Sequence, residues 1–197
     1  MARGFSIKRS LHGLAITLIL VATSACSPRL NETLEVPTVP IPPPSKNVEK
    51  VSNAYLFIDE FSDTRANKAL ATMDGKEIQA AGDVVPSVVK ALNEALTGRG
   101  FEISESAPVM VSGEVRQWIA EISGSVPTRV SVEASIFIEV LDPANKRIYS
   151  GVYQGKSWKE SSSMKEEDIR RTLGEGMSEA IKRIIADERL MGLISSF

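Results

Sequence analysis

The sequence predicts an α+β domain: a two-layer sandwich in which a mostly antiparallel sheet carries two main helices on one face. Three observations predict it. Between Val109 and Trp158 three long stretches of alternating apolar and polar residues are joined by short turns, the pattern of an antiparallel meander. From Asp83 to Arg99 and again from Ser163 to Ile185 the apolar spacing changes to threes and fours, which puts one apolar stripe on each of two helices. Helices and sheet therefore each have one face to bury, and stacking both helices on one side of the sheet buries them all.

The chain divides into three parts: residues 1–25, 26–50 and 51–197. The first is a signal peptide. It has a basic tip (Arg3, Lys8, Arg9), an apolar run from Leu14 to Ala22 and the small residues Thr23-Ser24-Ala25, and it ends at Cys26, the sole cysteine. Such a run is shorter than the ~20 residues a membrane-spanning helix needs, and a cysteine directly after it supplies the thiol that an acyl anchor requires. Cys26 is the predicted lipidation site, carrying diacylglyceryl and palmitate. Ser27 at the next position, where aspartate would resemble an inner-membrane retention signal, places the anchor in the outer membrane, facing the periplasm.

Residues 26–50 read as a linker. Six of the ten prolines lie there: Pro28, Pro37, Pro40 and Pro42-Pro43-Pro44. They favour an extended polyproline conformation, and as a solvated spacer at ~3.1 Å per residue this stretch could hold the domain roughly 70 Å from the bilayer.

The domain opens with an apolar strand, Asn53 to Phe61, terminated by Asp63-Thr64-Arg65; its unbroken apolar character predicts a central position. Leu70 to Met73 and Lys76 to Gln79 flank Asp74-Gly75, a hairpin signal. In the first helix Asp83 is the capping residue, Pro86 sits in the first turn, Val85, Val88, Val89, Leu92 and Leu96 form the stripe, and Gly98 and Gly100 supply the stop. Phe101 to Ser104 reads as a short strand. In the meander Val109, Val111 and Val115 share one parity while Trp118, Ala120 and Ile122 take the other, predicting a bulge near Arg116-Gln117. Val130, Val132, Ala134, Ile136, Ile138 and Val140 then alternate cleanly, and Arg147 to Trp158 forms the partner strand after a turn at Asp142 to Asn145. The second helix begins with Ser163 and Glu166 as a capping box, followed by Glu167 and Asp168, with Lys182 and Arg183 toward its end. Its stripe is Ile169, Leu173, Met177, Ile181, Ile184 and Ile185, and Leu193 and Ile194 predict a short docking turn in the tail.

Charge and residue inventory narrow the chemistry. The signal removes three basic residues and no acidic ones, leaving 20 basic against 25 acidic side chains, a net charge of −5. A mildly acidic domain without a basic cluster is not built for nucleic acid. His12, the only histidine, leaves with the signal. With Cys26 acylated, no imidazole or free thiol remains for Ser-His-Asp or Cys-His catalysis, or for the usual zinc ligands. No calcium-loop spacing or phosphate-cradling glycine loop occurs either. The reading is a non-enzyme with no catalytic residue, cofactor or metal. An enzyme would have to work with carboxylates such as Glu114 and Glu133.

The order of lipobox, proline-bearing linker, Asp63-Thr64-Arg65 after the first strand, the "LTGRGFEI" end of the first helix, the meander and the final helix resembles the YajG-like lipoproteins. These are small proteobacterial outer-membrane lipoproteins of unassigned activity, so the resemblance implies location and fold and carries no catalytic residue.

The candidate contact residues are Asp63 and Arg65, a polar pair at a strand end where ligand or partner contacts often sit, and three aromatics. Tyr149 and Tyr153 share one strand face and Trp158 has the opposite parity; an exposed aromatic patch would suit a protein interface, whereas a buried one would be packing. The function these observations predict is a lipid-anchored accessory or scaffold factor that binds a protein partner in cell-envelope assembly or maintenance. The alternative is a carrier of lipid, glycan or small ligand in an envelope transport system, which requires an apolar pocket between helices and sheet.

Overall fold

The computed structural model describes residues 31–43, 51 and 54–197; Cys26 and the signal lie outside the described residues. Strands β1 (Thr33–Leu34), β2 (Ala54–Asp63), β3 (Ala69–Met73) and β4 (Lys76–Ala80) precede helix α1 (Val85–Arg99). Strands β5 (Phe101–Ile103), β6 (Met110–Ser123), β7 (Thr128–Leu141) and β8 (Arg147–Ser161) follow, then helices α2 (Glu166–Ile185) and α3 (Glu188–Ile194).

Strand β6 organises the sheet. One of its edges pairs antiparallel with β7 along its whole length, and β7 pairs antiparallel with β8, as the alternation predicts. The other edge is divided between two strands. Met110 to Val115 take β2 and Ala120 to Ile122 take β3, both parallel. Outside these, β5 lies parallel on β2, β4 antiparallel on β3 and β1 parallel on β4. The class is α+β as predicted, but the sheet is mixed and curled rather than a plain antiparallel layer. Residue alternation reports which face is buried and is silent on neighbour direction. Here the path from β2 through β3, β4 and α1 to β5 is a crossover of the kind that brings strands back parallel.

Local signals act as the chemistry requires. The β6–β7 register shifts between Val115 and Gln117, so Val111 and Val115 before the bulge and Trp118, Ala120 and Ile122 after it all point inward. The hairpin between β3 and β4 turns through Asp74 and Gly75, both at positive φ. Asp83 accepts the Val85 amide at 2.9 Å, while Val84 occupies the cap position itself. Gly100 ends α1 in the left-handed conformation. At α2 the capping box differs from expectation: the helix starts at Glu166, Asp168 accepts the Lys165 amide at 3.2 Å, and Ser163 instead donates its amide to Ser161 Oγ. In the tail, a two-turn helix replaces the expected turn, burying Leu190, Met191 and Ile194 while Leu193 is half-buried.

Helix α2 lies in the concave face of the curled sheet against β6, β7 and β8, with α1 beside it. The approach is closest at Gly155, where an added Cβ would stand 2.0 Å from Gly176 O. Only a residue without a side chain lets β8 and α2 touch backbone to backbone. Between the layers lie Trp118, Phe101, Leu56, Leu92, Ile136 and Leu173, all 2% exposed or less. Trp118 satisfies its indole N–H by donating to Leu173 O at 2.9 Å, as a fully buried tryptophan must.

The proline-bearing stretch departs most from its predicted character. Its described part, 31–43, is packed on the domain instead of lying in solvent. Gln79 donates its amide to Glu32 O and Ala81 donates to Leu34 O, which makes β1 a strand on the sheet edge. Ser87 Oγ donates to Pro37 O at 2.7 Å, Arg170 pairs with Glu35, and Leu34 and Val39 are buried. Proline removes donors and leaves carbonyls, so the stretch can still be held by donors from the domain. The overlooked signal is its apolar content, Leu34 and Val39.

Candidate functional site

Asp63 is the last residue of β2, and Arg65 follows in the passage to β3. The division of the β6 edge leaves residues 116–119 without a strand neighbour on that side, so their polar groups need other partners. Arg65, 4% exposed, supplies one: Nη1 donates to Trp118 O at 3.2 Å and to Ala69 O at 3.4 Å. Nε and Nη2 form a two-pronged bridge to Asp63 Oδ1 and Oδ2, each at 3.0 Å. The geometry is the planar fork for which arginine is suited and lysine is not. Burial pushes the Asp63 carboxyl up, but bonds from the Arg65 side chain and amide and from Lys68 outweigh it and hold the group at about 2. The pair thus closes a gap in the sheet, and its guanidinium is turned inward.

Tyr149 and Tyr153 lie on the concave face of β8, with Gly151 between them. Both hydroxyls donate to Asp187 Oδ2 at 2.7 Å, and the two oxygens stand 2.8 Å apart. Asp187 Oδ1 accepts the Leu190 amide at 3.1 Å as the cap of α3. Burial raises the Asp187 carboxyl, yet the tyrosine and amide donors leave it below its ordinary value, while burial beside Asp187 raises both phenols. This arrangement fastens the C-terminal helix to the sheet. Its centre, Asp187, escapes sequence reasoning because it is 34 and 38 residues from its partners; the one local hint is an aspartate three residues before Leu190.

Trp158 is separated from these two by the pleat. It stands on the convex face of the sheet, 63% exposed, with the Arg129 guanidinium 5.3 Å from its ring centroid. Arg129 also pairs with Glu160 at 3.5 Å. Val152, farther along the same face of β8, and Val126, in the β6–β7 turn, are at least half exposed. Arg129 and Val126 could be joined to Trp158 from sequence only if the register were known, since Arg129 lies opposite Glu160.

The convex face also carries an open hollow of about 430 Å³ lined by Asp59, Glu60, Glu114, Glu139 and Phe137. Two of its four acids are engaged: Glu114 binds Arg116 at 2.8 Å and Glu139 binds Arg147 at 3.0 Å. Glu133 binds Lys156 and Gln117, and those bonds lower its carboxyl. Glu114 is level with Phe137 on β7, four residues from Glu133, or ~13 Å along the strand. Carboxylate pairs that share a reaction centre stand closer, within ~5–9.5 Å. Among the described residues no group of three histidine, cysteine or acidic side chains is placed to hold a metal ion.

Residues 40–195 match the model of a family described as an uncharacterized lipoprotein. The chain belongs to this lipoprotein family. Among curated proteins none matches the sequence. Among solved structures, protein XCC0632 from Xanthomonas campestris is similar over 81% of this chain and 96% of its own, at 15% identity and a TM-score of 0.59, a likeness of fold. A minor lipoprotein from Acinetobacter baumannii is similar over 73% of this chain and 91% of its own, with 10% identity and a TM-score of 0.38. Lipoprotein GNA1162 from Neisseria meningitidis shares 9% identity over 68% of this chain and 99% of its own, with a TM-score of 0.35. In this lipoprotein, then, Asp63, Arg65, Tyr149 and Tyr153 are held in bonds within the fold, and Trp158 is the sequence-predicted contact residue that faces outward.

Proposed function

We propose that the protein is a non-enzymatic lipoprotein, anchored by acylated Cys26 in the outer membrane and facing the periplasm, that binds a protein partner in cell-envelope assembly or maintenance. The contact surface is the convex face of β7 and β8 around Trp158. The observation that carries this reading is the outward Trp158 with Arg129 across its ring, in a fold whose space between helices and sheet is filled by Trp118, Phe101 and aliphatic side chains. Tryptophan and arginine dominate the energetics of protein interfaces, and a tryptophan 63% exposed gives the isolated fold little. Family membership supports the anchor. A carrier of lipid or small ligand would need an apolar space where those side chains stand.

The test places a photo-crosslinking amino acid at Gln154, on the same face as Trp158, and at Glu94, on the exposed side of α1, in cells. A reproducible protein adduct from Gln154 that Glu94 does not give, and that Trp158→Ala reduces at least tenfold, is expected. Equal capture at both positions, or capture indifferent to Trp158→Ala, overturns the assignment of the surface.

A further inference from the structure

The packed segment 31–43 changes what the lipid anchor can do. Glu32 O accepts from the Gln79 amide, Thr33 and Leu34 pair with Gln79 and Ala80, and the chain then crosses the helices. There Glu35 pairs with Arg170, Pro37 O accepts from Ser87, and Val39 is buried. Thr38 O lies over Gly174, where an added Cβ would stand only 2.3 Å from it. Contacts from the sheet edge, α1 and α2 thus hold one strap. Six residue steps separate Cys26 from Glu32, and six steps span at most ~22 Å. Were the strap free, the first backbone tie among the described residues would be the Val51 amide on Arg99 O, 25 steps from Cys26 and up to ~85 Å away.

We infer that the docked strap turns a long spacer into a short tether, so that the β1–β4 edge is held against the lipid bilayer. This rests on the acylation of Cys26 that the proposed function also uses. The sheet runs β1-β4-β3-β6-β7-β8, and at ~4.8 Å per strand the β8 edge is ~24 Å farther round the curl. The membrane therefore lies beside β4, and β8 with Trp158 is directed away from it. The partner surface follows from an orientation, where a free spacer would have left all faces equivalent.

The test uses the full lipoprotein in phosphatidylethanolamine–phosphatidylglycerol vesicles containing an acceptor-labelled lipid. Donor dye is placed on Gln79→Cys or Gln154→Cys, both exposed, and the acylated Cys26 does not compete for the label. Energy transfer at least twofold greater from position 79 than from position 154 is expected. Gly174→Ala combined with Leu34→Ser, which displaces the strap while alanine favours the helix, should bring the ratio toward one. A ratio of one in the native chain overturns the inference, as does an unchanged ratio in a folded variant. The native ratio decides by itself if the variant fails to fold. Mass spectrometry of the N-terminal peptide separates the two readings: protein without acyl groups on Cys26 overturns both, whereas acylated protein with equal transfer overturns this one alone.

Discussion

Replacing Arg65 with methionine tests whether the Asp63–Arg65 pair is a repair of the divided β6 edge or a contact site. The substitution keeps the stem and removes the guanidinium, with its two bonds to the Asp63 carboxylate at 3.0 Å and its bonds to Trp118 O and Ala69 O. Breaking a buried ion pair from one side costs about 3–5 kcal/mol, because the other charge is left without a partner. The Asp63 side chain keeps 22% of its surface in water and a second cation in Lys68, so the lower end, about 3 kcal/mol, is expected. For a domain of this size that is a fall of ~6–12 °C in Tm. Arg65→Lys should recover less than half, since one ammonium cannot reach both the carboxylate and Trp118 O. Thermal and urea unfolding of the unacylated Cys26→Ser chain, followed by circular dichroism, measures both. Unfolding within 0.5 kcal/mol of the parent for Arg65→Met, or full recovery by lysine, refutes the argument and returns the pair to the surface-contact reading.

Two further outcomes follow from the same geometry. Asp63 is held at about 2 when folded against an ordinary 3.8, so its contribution is complete above the unfolded value and disappears as pH falls through about 2. Stability should drop by ~2 kcal/mol between pH 5 and 2, with Asp168 and Asp187, also lowered, adding in the same direction; Arg65→Met should flatten the Asp63 part. Tyr149→Phe with Tyr153→Phe removes both phenol donors from Asp187, at ~3–6 kcal/mol for two bonds to a charged acceptor. Hydrogen exchange should show that loss concentrated in Glu188–Ile194, and uniform exchange across the domain would argue against a local fastening role.

What was legible in the sequence is whatever a short window determines. The switch of parity at Arg116-Gln117, the Asp74-Gly75 turn and the clean face of β7 are set by neighbours within a few residues, and each appears in the structure where the pattern places it. Strand direction was not legible, because β2 and β3 owe their parallel pairing with β6 to the route of the chain through α1. Nor was the role of Arg65, whose carbonyl partner Trp118 is 53 residues away. Asp63-Thr64-Arg65 could be seen as a marked element, and the two readings of it differ only in which way the guanidinium points. The packing of the strap is hidden for a related reason: proline content excludes ladder donors but does not prevent Leu34 and Val39 from finding a buried seat.

The division of β6 also bears on why the convex face at β8 is the surface we propose for a partner. A strand with two half-length neighbours on one edge needs internal polar repair at the junction, and Asp63 and Arg65 are committed to it. The concave face is committed to α1 and α2, and at its end Tyr149 and Tyr153 are committed to α3. The strap takes the outer side of the helices at Gly174 and Ser87. Each of these surfaces loses stability if a partner competes for it. Trp158 and Val152 support no comparable internal contact, so their covering by another protein removes apolar area from water without displacing anything but the Arg129 stack, worth ~0.5–1 kcal/mol at an exposed site. The area covered there would offset the translational, rotational and side-chain ordering cost of association without breaking a contact that holds the fold, which is the physical reason to seek the partner at β8 first.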